Sequence, residues 1–287
     1  MTEKTGRAYI GTSGWKKPQW RGDFYPKGLV QRRELEYASR QLTSLEINST
    51  FHGLQKPSTF TNWRIETPDD FVFAIKGHEV VSRTALFPTA RVHLADFFAS
   101  GVLELREKLG PLLWQLPEKS KFDAERLDRF LSLLPRSGAE AARLAEESET
   151  GDGSGSHLPD RPLRHAIEVR DASYLDADFA SLLKSYNIAI VFTNAPGAPD
   201  FRELTSDFVY LRLSSGEDNY ANGYDDDSLD GWATRITAWV GGPPSRDVFA
   251  YFKNPAGVLP HTPHNATKLI ARLEPRVQAR ASEPPPY

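Results

Sequence analysis

The chain has 287 residues, of which 39% are hydrophobic and 25% charged, and its formal net charge at pH 7 is −3. This composition is typical of a globular protein with a substantial core, and it excludes a largely disordered chain. The near balance of charges gives no overall electrostatic attraction to nucleic acid.

Several other classes of protein are excluded by what the sequence lacks. No window holds the roughly 20 apolar residues that a membrane-spanning helix needs. The chain contains no Cys, which excludes disulfides, thiolate nucleophiles and cysteine metal ligands. The segment before the first predicted strand is polar and has no apolar signal region, so we expect a cytoplasmic protein.

Strand-like and helix-like runs alternate along the chain. The predicted strands are Ala8–Thr12, Ser44–Ile47, Phe71–Ile75, Leu112–Leu116, His165–Val169, Ile188–Phe192, Phe208–Leu213 and Val248–Phe252. The predicted helices are Gln31–Leu42, Ser58–Ile65, Val92–Leu109, Ala124–Leu134, Asp178–Tyr186, Leu229–Val240 and Ala266–Leu273. Such alternation implies parallel strands joined by right-handed crossovers. Eight units predict a single TIM-like (β/α)8 barrel. The competing doubly wound sheet lacks its Gly-rich phosphate fingerprint.

Three segments depart from this regular pattern. Gly110 and Pro111 are expected to end the helix Val92–Leu109. The segment Ala195–Thr205 is too rich in Pro for a normal crossover helix. Residues 137–162 end in a Gly/Ser-rich stretch and are predicted to be a flexible surface insertion after the fourth βα unit. The barrel is thus predicted to span residues 8–275, followed by a loose tail at 276–287.

Polar and aromatic residues stand at the ends of the predicted strands. Those that we select as a candidate site are Trp15, Glu46, Asn48, Lys76, Gln115, Glu168, Arg170, Arg212 and Asn254. In a (β/α)8 barrel the active site lies at the C-terminal ends of the strands, so these side chains are expected to converge on one pocket. The alternative for each Glu and Arg is a structural ion pair buried in the barrel.

The predicted catalytic residues are Glu46, Glu168 and Lys76. The two glutamates form a carboxylate pair in which one is ionised and one holds a proton, provided that burial separates their pKa values. Lys76 and the arginines Arg170 and Arg212 hold a phosphate or carboxylate. A Schiff-base role for Lys76 is a further alternative.

The predicted ligand-binding residues are Trp15, Asn48, Gln115, Arg170, Arg212 and Asn254. The aromatic loop Trp15–Tyr25 either stacks on a sugar or a base or packs to seal the barrel. No cofactor and no metal are predicted. The weaker metal alternative combines His52, His78 and Glu168.

Several short motifs occur in an order that resembles a known family. They are Gly11-Thr12-Ser13-Gly14-Trp15, Leu45-Glu46-Ile47-Asn48, Phe71-Val72-Phe73-Ala74-Ile75-Lys76, Glu168-Val169-Arg170 and Tyr210-Leu211-Arg212. The sequence resembles the domain of unknown function 72, or YecE-like, family. This resemblance implies a TIM-like barrel of bacterial and archaeal cytoplasmic proteins without a settled activity. Asn194 stands where the family commonly has Asp, and Lys253 and Pro255 flank Asn254. These departures favour an anionic ligand.

The leading hypothesis is therefore an enzyme, a hydrolase or an isomerase, that acts on a small phosphate- or carboxylate-bearing ligand such as a sugar or nucleotide. A non-catalytic nucleic-acid-binding protein that uses the same basic, aromatic-lined mouth is the alternative. In a third hypothesis, the insertion binds a protein partner. No membrane partner is expected, and the oligomeric state is left open.

Overall fold

The computed structural model describes residues 6–149, 160–195, 197–214, 223–253 and 261–273. Within these ranges eight parallel strands pair in sequence order, and the last pairs with the first. The strands are β1 (Ala8–Ser13), β2 (Ser44–Ile47), β3 (Val72–Lys76), β4 (Leu109–Gln115), β5 (His165–Glu168), β6 (Ala189–Thr193), β7 (Phe208–Ser214) and β8 (Asp247–Lys253). The predicted TIM-like (β/α)8 barrel is confirmed.

The helices pack around the outside of this barrel. In the described ranges they are α1 (Glu34–Gln41), α2 (Ser49–His52), α3 (Pro57–Glu66), α4 (Glu79–Thr84), α5 (Ala90–Ala99), α6 (Ala124–Leu133), α7 (Gly138–Ala145), α8 (Ala177–Ser185), α9 (Asp226–Gly241) and α10 (Thr262–Leu273). The described part of the β6–β7 connection contains no helix, as its Pro content predicts. No helix in the described ranges is long and apolar enough to cross a membrane.

The barrel encloses a small apolar core of its own, separate from the larger core between strands and helices. Its residues are Ala74, Leu113, Ala166, Ala189, Val191, Phe208, Tyr210, Phe249 and Tyr251. Successive side chains of a strand point to opposite faces of the sheet. A residue two positions further along the strand therefore also faces the interior, and this rule positions the candidate site.

The prediction that Gly110 and Pro111 end a helix is wrong. The helix α5 ends at Ala99, and Gly101 adopts a left-handed backbone with φ of 97°. Gly110 and Pro111 lie inside β4. A Cβ at position 110 would meet Val72 Cγ1 at 2.6 Å, so this glycine allows close approach of neighbouring strands rather than a helix end.

The predicted insertion is in part a packed structure. Its first part forms α7, in which Ala141 and Leu144 are buried. The Arg91 guanidinium of α5 donates to Glu147 just beyond α7, at 2.8 Å and 2.5 Å, which ties this segment to the barrel. The Gly/Ser-rich stretch at 150–159 and the predicted tail at 276–287 lie outside the described residues.

Candidate functional site

Polar side chains form a layer at the C-terminal end of the barrel interior. On six strands a polar residue comes two positions after a residue of the inner apolar core, namely Lys76, Gln115, Glu168, Thr193, Arg212 and Lys253. Ser13 of β1 and Glu46 of β2 join this layer. The predicted convergence of strand ends on one site is thus what the structure shows for these residues.

Arg212 lies at the centre of the layer. Its Nη2 donates to Glu46 Oε1 at 2.9 Å, and its Nη1 donates to Glu168 Oε2. β2, β5 and β7 are not adjacent in the barrel, so these bonds cross its interior. All three side chains are buried, with exposed fractions of 3% for Arg212 and 0% for each glutamate. We call Glu46, Arg212 and Glu168 the ion cluster.

Further donors complete the coordination of Glu46. Ser13 Oγ donates to Glu46 Oε1 at 2.6 Å, and the Tyr210 hydroxyl donates to Glu46 Oε2 at 2.7 Å. Burial and the Glu46 carboxylate raise the pKa of Tyr210 well above its usual value, so its hydroxyl keeps the proton that it donates. Glu46 is therefore held on both oxygens by three side-chain donors.

Glu168 is surrounded by cations. Arg170 Nε donates to Glu168 Oε1 at 2.9 Å, and Lys253 Nζ lies 3.9 Å from the same oxygen. Burial by itself would raise the pKa of Glu168, but Arg212, Lys253 and Arg170 outweigh it and lower the pKa to about 2. Glu168 is thus ionised at neutral pH.

This geometry does not favour the predicted carboxylate pair. That hypothesis needs one glutamate that carries a proton near neutral pH. Glu168 does not meet this requirement, and both oxygens of Glu46 already accept hydrogen bonds. The two carboxylates also contact the same guanidinium rather than a shared proton. Their arrangement is that of anions that fix an arginine.

Lys76 is the least satisfied of the cations. Only 7% of the residue is exposed, and its Nζ lies 3.6 Å from the centre of the Phe51 ring. No hydrogen bond from this ammonium group to another described residue is found. Burial, followed by the charge of Arg212, lowers the pKa of Lys76 to about 8. Lys76 can therefore both bind an anion and exchange a proton close to physiological pH.

Lys253 is the last residue of β8 and belongs to the same layer; β8 pairs with β1 on the side away from β2 and β3. Its side chain is 15% exposed, and its contact with Glu168 is too long for a hydrogen bond. Burial and Arg212 lower the pKa of Lys253 to about 8. We refer to Lys76 and Lys253 together as the mouth lysines.

The charges of the layer do not cancel. Lys76, Lys253, Arg170 and Arg212 are four cations, and they face the two carboxylates of Glu46 and Glu168. Among the residues that the structure describes, two positive charges therefore remain at the mouth when the lysines are protonated. A buried surplus of positive charge is the physical signature of a site for an anion.

The other predicted site residues have different positions. Gln115 accepts a weak hydrogen bond from Arg212 at 3.5 Å and so belongs to the layer. Asn48 follows β2, and its buried Oδ1 atom accepts no hydrogen bond from a residue that the structure describes. Trp15 is 5% exposed and lies beside the layer rather than in it. Asn254 lies outside the described residues.

The aromatic loop packs into the protein. Trp20, Phe24 and Tyr25 are at most 6% exposed and contact one another, and the Tyr25 hydroxyl donates to the Trp15 carbonyl at 2.7 Å. The sealing alternative therefore describes this loop better than stacking on a base does. Within the described ranges no three His, Asp or Glu side chains are grouped to hold a metal ion, so the geometry gives no support to the alternative with His52 and His78.

Sequence reasoning left Ser13, Tyr210 and Lys253 out of the candidate site. Tyr210 and Arg212 are two positions apart on β7, so the period-two rule could have found the tyrosine. Lys253 lies at the end of β8, so it shows the same sequence signal as Lys76, a lysine at the end of an apolar strand. No sequence signal indicates that Ser13 would donate to Glu46, because that contact depends on the β1–β2 register.

Comparisons with known proteins agree with this fold. Residues 9–287 match the sequence model of the family described as "Protein of unknown function DUF72". The chain is 31% identical over 131 residues to the UPF0759 protein YecE of Escherichia coli (strain K12), a match that covers 44% of each chain. It is 25% identical over 123 residues to the UPF0759 protein YunF of Bacillus subtilis (strain 168), covering 38% of this chain and 39% of YunF. These alignments thus span less than half of either relative.

Two solved structures share the barrel. A DUF72 family protein from Thermotoga maritima has a TM-score of 0.70 and 20% identity, covering 93% of this chain and 99% of its own. A DUF72 family protein from Enterococcus faecalis has a TM-score of 0.63 and 13% identity, covering 95% and 97%. At these identities the likeness concerns the fold alone. The family match over nearly the whole chain shows that this protein belongs to the DUF72 family of proteins of unknown function.

Proposed function

We propose that the protein is an enzyme whose barrel mouth binds the anionic group of its substrate, a phosphate or a carboxylate, between Lys76, Lys253 and Arg170. The observation that carries this proposal is the surplus of two positive charges among the described residues of the mouth, part of it on lysines with few partners in that part of the chain. A bound anion would supply the hydrogen-bond acceptors that the mouth lysines do not find among the described residues.

The ion cluster has a supporting role in this proposal. Glu46 and Glu168 hold Arg212 in one orientation, so the cationic surface does not have to reorganise when the anion binds. Such preorganisation is the main source of electrostatic stabilisation in active sites. Each carboxylate oxygen of Glu46 and Glu168 already accepts a hydrogen bond from a neighbouring side chain. We therefore assign proton transfer to the mouth lysines, whose pKa values of about 8 suit general acid–base chemistry near neutral pH.

The binding half of the proposal is tested by calorimetry with inorganic phosphate. We expect phosphate to bind the wild type and to bind Lys76→Met and Lys253→Met at least tenfold more weakly. Lys184→Met is the matched control, because Lys184 is 46% exposed, pairs with Glu203 and lies near the end of α8, which leads into the N-terminal end of β6. Equal affinity of the mouth variants and the control would overturn the proposal.

The pH dependence of binding gives a second test. The mouth lysines are protonated below about pH 8 and lose their charge above it, so phosphate affinity is expected to fall as the pH rises through 8. Lys76→Arg should move part of this fall to higher pH, because an arginine stays charged.

The proposal that the protein is an enzyme is tested by measuring turnover. A panel of phosphate and carboxylate esters is incubated with the wild type and with Lys76→Met, and conversion by the wild type alone is expected. Single-stranded DNA is included in the binding assays. Salt-dependent DNA binding that survives Lys76→Met, without phosphate binding, would favour the nucleic-acid alternative.

A further inference from the structure

A groove lies on the outside of the barrel, where the described part of the β6–β7 connection contains no helix. In a regular (β/α)8 barrel a helix covers the outer face of each strand at this position. The groove has a volume of about 780 Å³ and runs between the end of β6, the connection that follows it and α9. Its aromatic lining residues are Phe192, Phe201, Trp232 and Trp239. We call the cavity around these four residues the aromatic groove.

The rings of the aromatic groove are held by the core and are still open to solvent. All four residues are half-buried and pack against the larger hydrophobic core. Phe192 and Trp239 stack with their ring centroids 6.1 Å apart. On the exposed rim, the Arg235 guanidinium lies 5.2 Å from the centre of the Trp232 ring, and no ion pair of Arg235 with another described residue is found. The groove therefore offers a partner apolar rings and one positive charge without any rearrangement.

The sequence of this chain contains a segment that suits such a groove. Residues 284–287 are Pro-Pro-Pro-Tyr and follow Glu283. They lie outside the described residues. Proline-rich segments favour the extended polyproline II helix and bind grooves lined by aromatic rings, because this conformation is largely formed before binding and loses little entropy. Glu283 supplies the charge opposite to that of Arg235.

The position of α10 allows this segment to reach the aromatic groove. Arg272 near the end of α10 pairs with Asp226 and Asp230 of α9 at 2.7 Å and 2.5 Å, so α10 ends beside that helix. At about 3.6 residues per turn, Asp230 and Trp239 lie on opposite sides of α9. The path from α10 to the groove therefore crosses one helix, which is about 10–12 Å in diameter. Residues 274–283 span up to roughly 33 Å when extended, which is sufficient.

We propose that the segment 284–287 of the same chain binds in the aromatic groove, with its proline rings on the tryptophan rings and Glu283 beside Arg235. The bound segment takes the place that a crossover helix has elsewhere around the barrel. This inference is independent of the proposed function, because the groove lies outside the barrel and the mouth lysines do not line it.

Disulfide trapping in the full chain tests this proposal, since the sequence contains no Cys that could interfere. Ser282→Cys places a thiol just before Glu283, and Ala238→Cys places a second thiol on the exposed rim of the groove. Under mild oxidation we expect this pair to form an intramolecular disulfide at least fivefold faster than a control pair of Ser282→Cys with Thr234→Cys. Thr234 is exposed, lies outside the groove and is about one turn of α9 closer to Asp230, so an unbound segment reaches it at least as easily.

Two sets of variants of the first cysteine pair test the recognition itself. Replacement of residues 284–286 by Ser should slow disulfide formation to the rate of the control pair, because the proline rings that contact the tryptophans are gone. Arg235→Glu should slow it at least twofold, because two negative charges then face each other. Addition of Glu283→Arg to Arg235→Glu should restore the faster rate, because the charges are opposite again.

Each outcome decides about the occupant of the aromatic groove. A faster reaction that is confined to the first cysteine pair and is lost with the prolines supports the proposal. Equal rates for the two pairs, or a fast reaction that survives the Ser replacements, would overturn it. A covalent dimer as the main product would also overturn it, because the groove would then bind the segment of a second copy of the chain.

Discussion

The two ends of the barrel interior are built on the same strands and differ in what holds them together. Towards the N-terminal ends of the strands the interior is apolar, with the rings of Tyr9 and Phe249 stacked at 4.6 Å and Phe208 packed against Phe249 at 5.9 Å. Further along the same strands, towards their C-terminal ends, the inward-facing positions carry the ion cluster and the mouth lysines. Burial of apolar surface stabilises the first region. In the second region the opposite charges offset one another's desolvation, so the loss of a single partner is costly.

This difference has a consequence for stability and function. In the first, apolar region each side chain contributes to stability through contacts with many neighbours, each of them weak. In the second, polar region Arg212 pairs with two buried carboxylates. If Arg212 is removed, these carboxylates stay buried without a counter-ion, and this lowers the free energy of unfolding. The mouth lysines add positive charge that no described carboxylate fully neutralises. The surplus of positive charge in this region is the feature on which the proposed anion binding rests.

The largest expected effect comes from Arg212→Met. It leaves Glu46 and Glu168 buried without their counter-ion, and we expect the free energy of unfolding in urea to fall by about 3–5 kcal/mol. Arg83→Met is the control, because Arg83 and Glu79 form an exposed i,i+4 pair at 3.0 Å and should change stability by about 0.5 kcal/mol or less. A loss below about 1 kcal/mol for Arg212→Met would show that the ion cluster is not the structural centre of the polar region.

A second effect separates the two regions by pH. The pKa of Glu168 is lowered from 4.5 to about 2 in the folded protein, so its stabilisation is complete above about pH 4.5 and is lost as the pH falls towards 2. The expected loss is on the order of 3 kcal/mol. Glu168→Gln should flatten the dependence of unfolding free energy on pH in this range. Phe249→Leu should lower the free energy of unfolding by an amount that does not change with pH. A pH-dependent loss for this variant would contradict the distinction between the apolar and the charged region.

The smallest effect concerns the ring that covers Lys76. Phe51 lies 3.6 Å from the ammonium group and stabilises its charged form, by about 0.5–1 kcal/mol for such a contact. Phe51→Leu should lower the pKa of Lys76 by less than about one unit. The measurement is the midpoint of the pH dependence of phosphate binding, which should move to lower pH. A midpoint that stays in place or rises would mean that the ring does not act on Lys76.

Much of the fold followed from local patterns. The alternation of strand-like and helix-like runs predicted the barrel, because parallel strands need crossovers and eight such units close on themselves. The Gly110 error shows the limit of this reasoning. A glycine followed by a proline commonly ends a helix, yet here a neighbouring strand leaves no room for a side chain. That requirement comes from a residue far away in the sequence and leaves no local pattern.

The candidate site shows the same division. Glu46, Lys76, Glu168 and Arg212 could be selected from the sequence, because polar residues that end apolar strands converge at one end of a barrel. The roles of these residues could not be predicted from the sequence. The sequence allowed the glutamates to share a proton, and only the geometry shows that they share Arg212 instead.

The sequence by itself determined which side chains of one strand share a face, since successive residues of a strand point to opposite sides of the sheet. The tertiary structure alone decided their ionisation and their partners. These depend on burial and on distances between strands that are far apart in the chain, and both quantities exist only once the barrel has closed. The buried Oδ1 of Asn48, which accepts no hydrogen bond from a described residue, and the lowered pKa values of Lys76 and Lys253 belong to this second class.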